Sequence, residues 1–142
     1  MAGPLYKAFI KPRSIFYFTT NKIDSPEPHN SIIIYISPVL NLSFSLCTTK
    51  DQTIKRYIQR SGAHVDTMVE LDYGKYSFLK QPTFINCNSL VPYTDNEFEK
   101  KHDRGHVTYR AKLDKDEFNA IVRGIKLSND IDEEIKSALA EI

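Results

Sequence analysis

Lys50, Lys55, Arg56 and Arg60 crowd around Tyr57. Basic groups beside an aromatic ring suit a nucleic acid strand: the cations meet phosphates and the ring offers a face on which a base can stack. The same charges also suit the solvated face of a short amphipathic helix. A second cluster, His102-Asp103-Arg104-Gly105-His106, has a spacing that metals use when two imidazoles sit one helical turn apart. Gly105 ahead of a β-prone run puts a turn there instead, so no metal site is expected. The sequence contains no GxGxxG, Walker loop, HExxH, GxSxG or CxxC. Dinucleotide, nucleotide, zinc-protease and hydrolase chemistry therefore lack their minimum parts. Cys47 and Cys87 fall in strand-like runs and read as small buried hydrophobes rather than a redox pair. No cofactor is expected.

These side chains need a frame to hold them. At 142 residues, 41% hydrophobic and 26% charged, the chain has the size and composition of one globular domain. Folding at this length buries about two-thirds of the surface that the unfolded chain exposes, enough to dispense with a metal or disulfide staple. Nineteen Lys+Arg against eighteen Asp+Glu leave a charge of +1, so any affinity for nucleic acid must come from a local patch. The longest apolar run, 31–46, is interrupted by Ser37, Pro38, Asn41, Ser43 and Ser45 and is too polar for a membrane span. The first residues lack a basic leader followed by an apolar core. Cytoplasm is the expected compartment, with no membrane partner.

The pattern along the chain is strands first, helices last. Strands are expected at 13–18, at 31–36 as a β-branched run buried on both faces, and at 42–48, where Leu42, Phe44 and Leu46 alternate with Ser43, Ser45 and Cys47. Further strands are expected at 66–73, 83–87 and 105–110. A ten-residue polar loop, 21–30, is long for a hairpin and enters as a candidate site element. The charged stretch 95–103 reads as a second loop. Ile54, Tyr57 and Ile58 mark a short amphipathic helix over 51–60. Asp114, with Glu117 three residues later, caps a helix carrying Phe118, Ile121, Val122 and Ile125 on one face. A last helix follows Ser128-Asn129-Asp130, with Ile131, Ile135, Ala138, Leu139 and Ile142 on one face and acidic residues on the other. The expected fold is α+β and mainly β: about six or seven antiparallel strands, one short internal helix and two C-terminal helices. Its single domain spans 1–142, with an N-terminal extension 1–12, a barrel with its helix over 13–128 and an acidic helix over 129–142.

Certain short runs carry a likeness. Pro12-Arg13-Ser14-Ile15-Phe16-Tyr17 precedes a loop, Pro26-Glu27-Pro28-His29 leads into the β-branched strand, and Thr48-Thr49 closes the next one. Leu79-Lys80-Gln81-Pro82-Thr83-Phe84-Ile85-Asn86-Cys87 and Gly105-His106-Val107 follow, then Glu117, Phe118 and Ile121. In this order, over about residues 12–128, the chain resembles the Kid/PemK/MazF toxins, small SH3-like barrels that act as endoribonucleases in toxin–antitoxin modules. His29 stands nearest to the family's loop Arg, and Lys80 stands where some members carry an acid. The resemblance implies an SH3-like barrel and metal-independent cleavage of single-stranded RNA by attack of the ribose 2′-OH on the adjacent phosphate. His29 would be the acid or base, Lys50 or Lys80 would stabilise charge, and Thr48 and Thr49 would hold phosphate oxygens. The catalytic candidates are thus His29, Thr48 and Lys50, and the RNA-binding candidates Thr49, Lys55, Arg56 and Lys80. The implied partners are RNA, a cognate antitoxin protein and a second copy in a homodimer. Two alternatives stand beside this reading: a barrel of the same shape that binds nucleic acid or protein without cleaving, and a β-rich interaction protein whose acidic C-terminal helix docks a partner.

Overall fold

Ile32, Ile33 and Ile34 are β-branched and fully buried, as a strand covered on both faces requires. Around them the computed structural model describes residues 4–139. In chain order the elements are α1 (Pro4–Phe9), β1 (Ser14–Phe18), β2 (His29–Ile36), β3 (Asn41–Thr48), α2 (Asp51–Ser61), β4 (Met68–Leu71), β5 (Thr83–Asn86), β6 (Val91–Thr94), α3 (Asp95–Asp103), β7 (Val107–Lys112), α4 (Lys115–Leu127) and α5 (Glu133–Leu139). Short 3-10 turns stand at Val65–Thr67 and Tyr73–Lys75. The fold is α+β, and all of its strand pairings are antiparallel. The chain divides into two compact units, Met1–Leu46 with Val91–Asp114 and Cys47–Leu90 with Lys115–Ile142. This division interleaves along the sequence.

In the first unit the strands run β6-β3-β2-β1-β7. Its core is aromatic: Phe16, Phe18, Phe44, Tyr93 and Phe98 pack with Tyr6, Ile33, Leu42, Val91 and Val107. Phe98 is fully buried, with its ring centroid 5.2 Å from that of Phe18 and 4.9 Å from that of Phe44. Among the described residues no pairing joins β6 to β7, so these ladders do not close a barrel. The physical reason is α3, which links the two strands and packs against both, placing a helix where a closing ladder would run.

Helix α3 also replaces the loop expected at 95–103. Thr94 accepts a hydrogen bond from the Glu97 N–H (3.1 Å) while the Glu97 carboxylate accepts one from the Thr94 N–H (2.9 Å), a complete capping box. One buried side chain, Phe98, anchors the helix, too little for an apolar periodicity to show. Its far end closes on Gly105 at φ +76°. The Gly105 N–H donates to the His102 carbonyl (2.9 Å) and the His106 N–H to the Lys101 carbonyl (3.1 Å), the pair of bonds that defines a Schellman stop.

The second unit pairs β4 with β5, and β5 with the last residues of β3, Cys47 and Thr48. Helix α4 buries Phe118, Ile121, Val122 and Ile125 on the expected face, and packs on β4 and on the turn at Val65–Thr67. Glu117 accepts hydrogen bonds from the Asp72 N–H (2.6 Å) and the Tyr76 hydroxyl (2.6 Å). Helix α2 forms as expected, burying Ile54 and stopping at Gly62 with φ +73°.

Other expectations are adjusted. The strand expected at 66–73 shortens to Met68–Leu71, because the His64 side chain accepts the Asp66 N–H and turns the chain first. Ser43 and Ser45 are buried as well as Leu42 and Phe44, so β3 is covered on both faces. The last helix begins only at Glu133, after the buried Ile131, and Ile142 lies outside the described residues. Helix α1 and strand β6 are additions too short for a periodic signal.

Candidate functional site

The loop 19–26 leaves β1, and α3 leaves β6. Both belong to the first unit, and between them lies a groove of about 900 Å³. Its fixed side is built from hydrogen bonds. The hydroxyls of Thr20 and Tyr93 share one, and the Lys22 N–H donates to Thr20 Oγ1 (3.1 Å). Lys22 Nζ lies 4.2 Å from the centroid of the Tyr93 ring and 3.2 Å from Glu97 Oε2. An ammonium over an aromatic face and beside a carboxylate ties the loop to β6 and α3. The Thr94 N–H, and after it Lys22, hold the Glu97 carboxyl below the usual carboxylate range.

The rest of the lining is positive. Lys100, Lys101 and Arg104 from the last turn of α3 and its cap reach the groove, followed by His106. With Lys22, four basic side chains face two carboxylates, Asp24 and Glu97. Cations at a helix C-terminus also offset its partial negative charge, which accounts for their residue type. Thr19, Asn21 and Ser25 supply neutral donors on the opposite wall. A groove of this kind can bind a phosphodiester chain: cations take the charge, hydroxyl and amide groups take oxygens, and an imidazole is at hand for proton transfer.

The residues singled out from the sequence divide between the units. His29 opens β2, and its Nε2 lies 3.3 Å from Ser25 Oγ, which puts it one hydrogen bond behind the groove wall. Thr48, Thr49, Lys50, Lys55, Arg56 and Lys80 belong to the second unit, and none of them lines the groove. Thr48 Oγ1 accepts the Lys50 N–H (3.1 Å), a local turn that starts α2. Lys55 is paired with Asp51 (2.9 Å), whose carboxyl this partner lowers. Lys80 Nζ donates to the Ser77 carbonyl (2.6 Å). Arg56 and Arg60 are exposed on α2.

Sequence reasoning missed the basic end of α3. The run Lys100-Lys101-His102-Asp103-Arg104-Gly105-His106 was legible as charge, but reading it as a loop hid which members share a side. His102 packs its ring 4.4 Å from that of Tyr6, while Lys100, Lys101, Arg104 and His106 face the groove. The Thr94-to-Glu97 capping signature was the signal that could have found the helix. The chain matches no protein-family model and no curated protein. No helix among the described residues is long and apolar enough to cross a membrane.

Proposed function

We propose that this chain is a toxin-like endoribonuclease that binds single-stranded RNA in the groove between the 19–26 loop and α3. The observation that carries the reading is the groove itself: Lys100, Lys101 and Arg104 along one wall, the Tyr93–Lys22 stack at its fixed side and His106 within it. In-line attack of a ribose 2′-OH needs a group that moves a proton, cations that stabilise the crowded phosphate, and neutral donors that hold its oxygens. All three kinds line this one groove. On this reading the protein acts in the cytoplasm as a homodimer, without a metal, and a cognate antitoxin protein neutralises it.

The test is incubation of the purified protein with mixed-sequence single-stranded RNA in EDTA, wild type beside the double variant Lys101→Ala/Arg104→Ala. Fragments ending in 2′,3′-cyclic phosphate are expected from wild type and are lost in the variant. If about three cations contact phosphates, log Kd changes with log salt by a slope of about 2, and the double variant lowers that slope. Intact RNA that is nonetheless bound would replace cleavage with the second reading, a nucleic-acid-binding module. RNA neither bound nor cut by folded protein would refute both.

A further inference from the structure

The backbone at the end of α3 is held from both sides. On one side the Schellman stop pins Gly105 and His106 to the carbonyls of His102 and Lys101. On the other, the β1–β7 ladder ends at the pair Phe18–Val107. The next residues beyond that pair are Thr19 and His106, and both line the groove. His106 is therefore an exposed imidazole on a main chain fixed by a helix cap and a sheet at once. Such support suits a group that must meet a reacting atom in a set geometry.

The other lining groups are poorly placed for proton transfer. Lys22 is committed to Glu97 and to the Tyr93 ring, and the Tyr93 hydroxyl is committed to Thr20. Glu97 accepts the Thr94 N–H. Lys100, Lys101 and Arg104 are cations suited to the phosphate's charge. Asp24 is an anion that repels it. His29 contacts Ser25 and is not itself part of the lining.

We propose that His106 is the general base of the cleavage, an assignment that rests on the ribonuclease reading. A neutral ring nitrogen takes the proton of the ribose 2′-OH as the 2′-oxygen bonds to phosphorus. The bond from phosphorus to the 5′-oxygen breaks, its electron pair stays on that oxygen, and the oxygen takes a proton from water. The hydroxide left behind is neutralised by the proton that His106 returns to solvent. The products are a 2′,3′-cyclic phosphate and a 5′-hydroxyl, and no oxidant, metal or net water is consumed.

The experiment compares wild type, His106→Ala, His106→Gln and His29→Ala on single-stranded RNA in EDTA, with His64→Ala as a control in the second unit. Rates are measured across pH 5.5–8.5, RNA affinity by fluorescence anisotropy, and folding by circular dichroism. The expected result is a loss of cleavage of about 10²–10⁴-fold in both His106 variants, with RNA affinity held within about threefold. Wild-type rate should rise with pH, as expected of a general base, and any residual rate in the variants should lose that dependence. Wild-type cleavage with an undiminished His106→Ala and a dead His29→Ala would overturn the assignment and leave the ribonuclease reading standing. Parallel loss of affinity and rate would also overturn it, making His106 a phosphate contact. RNA left intact by wild type would overturn the ribonuclease reading and the assignment together.

Discussion

Gly124 sits inside α4, where glycine is a poor helix former, and its reason for being there is a close approach. A Cβ at this position would lie 2.6 Å from Cys87 Sγ, 2.8 Å from the Asp66 carbonyl oxygen and 3.1 Å from Cys87 Cβ. In an open helix, Gly124→Ala would gain about 1 kcal/mol of propensity. Here the clash opposes that gain. Overpacking costs about 1–3 kcal/mol, and the upper part of the range applies because the Asp66 oxygen belongs to the main chain and no rotamer can move it aside. The net expectation is a loss of about 1–2 kcal/mol, which for a chain of this size lowers Tm by about 3–8 °C. Urea unfolding followed by circular dichroism reads this as a lower midpoint at an unchanged slope. Cys87→Ala supplies a second arm, since it removes the sulfur but neither the Asp66 oxygen nor its own Cβ. The double variant should therefore be more stable than the sum of the single losses predicts, by about 0.5 kcal/mol or more. A Gly124→Ala protein as stable as wild type, or more so, would refute the reasoning and show that α4 does not approach this closely.

Three further outcomes are expected. Gly105→Ala meets no steric obstacle, but it forces an L residue to φ +76°, so it should cost about 1–2 kcal/mol in thermal melts, with Gly105→Asn recovering part of it; equal melting of the Ala variant and wild type would count against the Schellman stop. The Glu97 carboxyl is held below its ordinary value of 4.5, first by the Thr94 N–H and then by Lys22. Its contribution to stability is thus present above that pH and is lost as pH falls below it through the folded-state value. The stability gap between wild type and Glu97→Gln should accordingly shrink on acidification, and a gap unchanged from pH 6 to pH 3 would contradict the assignment. Burial pushes the thiols of Cys47 and Cys87 up to about 12, so neither should react with a disulfide reagent at pH 8 until denaturant is added; rapid native labelling of either would show that it is not buried.

Much of the fold was legible because local pattern and tertiary need coincide. The isoleucines of β2 demand burial wherever they go, and the apolar stripe of α4 has a single period. Helix α2 declared itself through Ile54, Tyr57 and Ile58. Helix α3 did not, because its one buried side chain leaves no stripe to read, and strand β6 was hidden by its length and by Pro92, which pairs opposite Ser43. The site was legible in part. Length and polarity single out the 21–30 loop, and its first part, 21–26, does line the groove. The resemblance singles out His29 within that loop; it opens β2 instead and stands one hydrogen bond from Ser25 of the lining.

What the sequence by itself determined is the set of elements whose burial is written in their own periodicity, together with the absence of the motifs that nucleotide or metal chemistry needs. Which charges share a surface was decided only by the tertiary structure. Lys50, Lys55, Arg56 and Arg60 look like a patch along the chain, yet Lys55 is paired with Asp51. Lys22 and Lys101, far apart in sequence, line one groove. The physical reason is that a charge carries no periodicity of its own. An exposed cation is free to sit on any face, and the packing of Phe98 beneath α3 and of Tyr93 beneath Lys22 selects the face it takes.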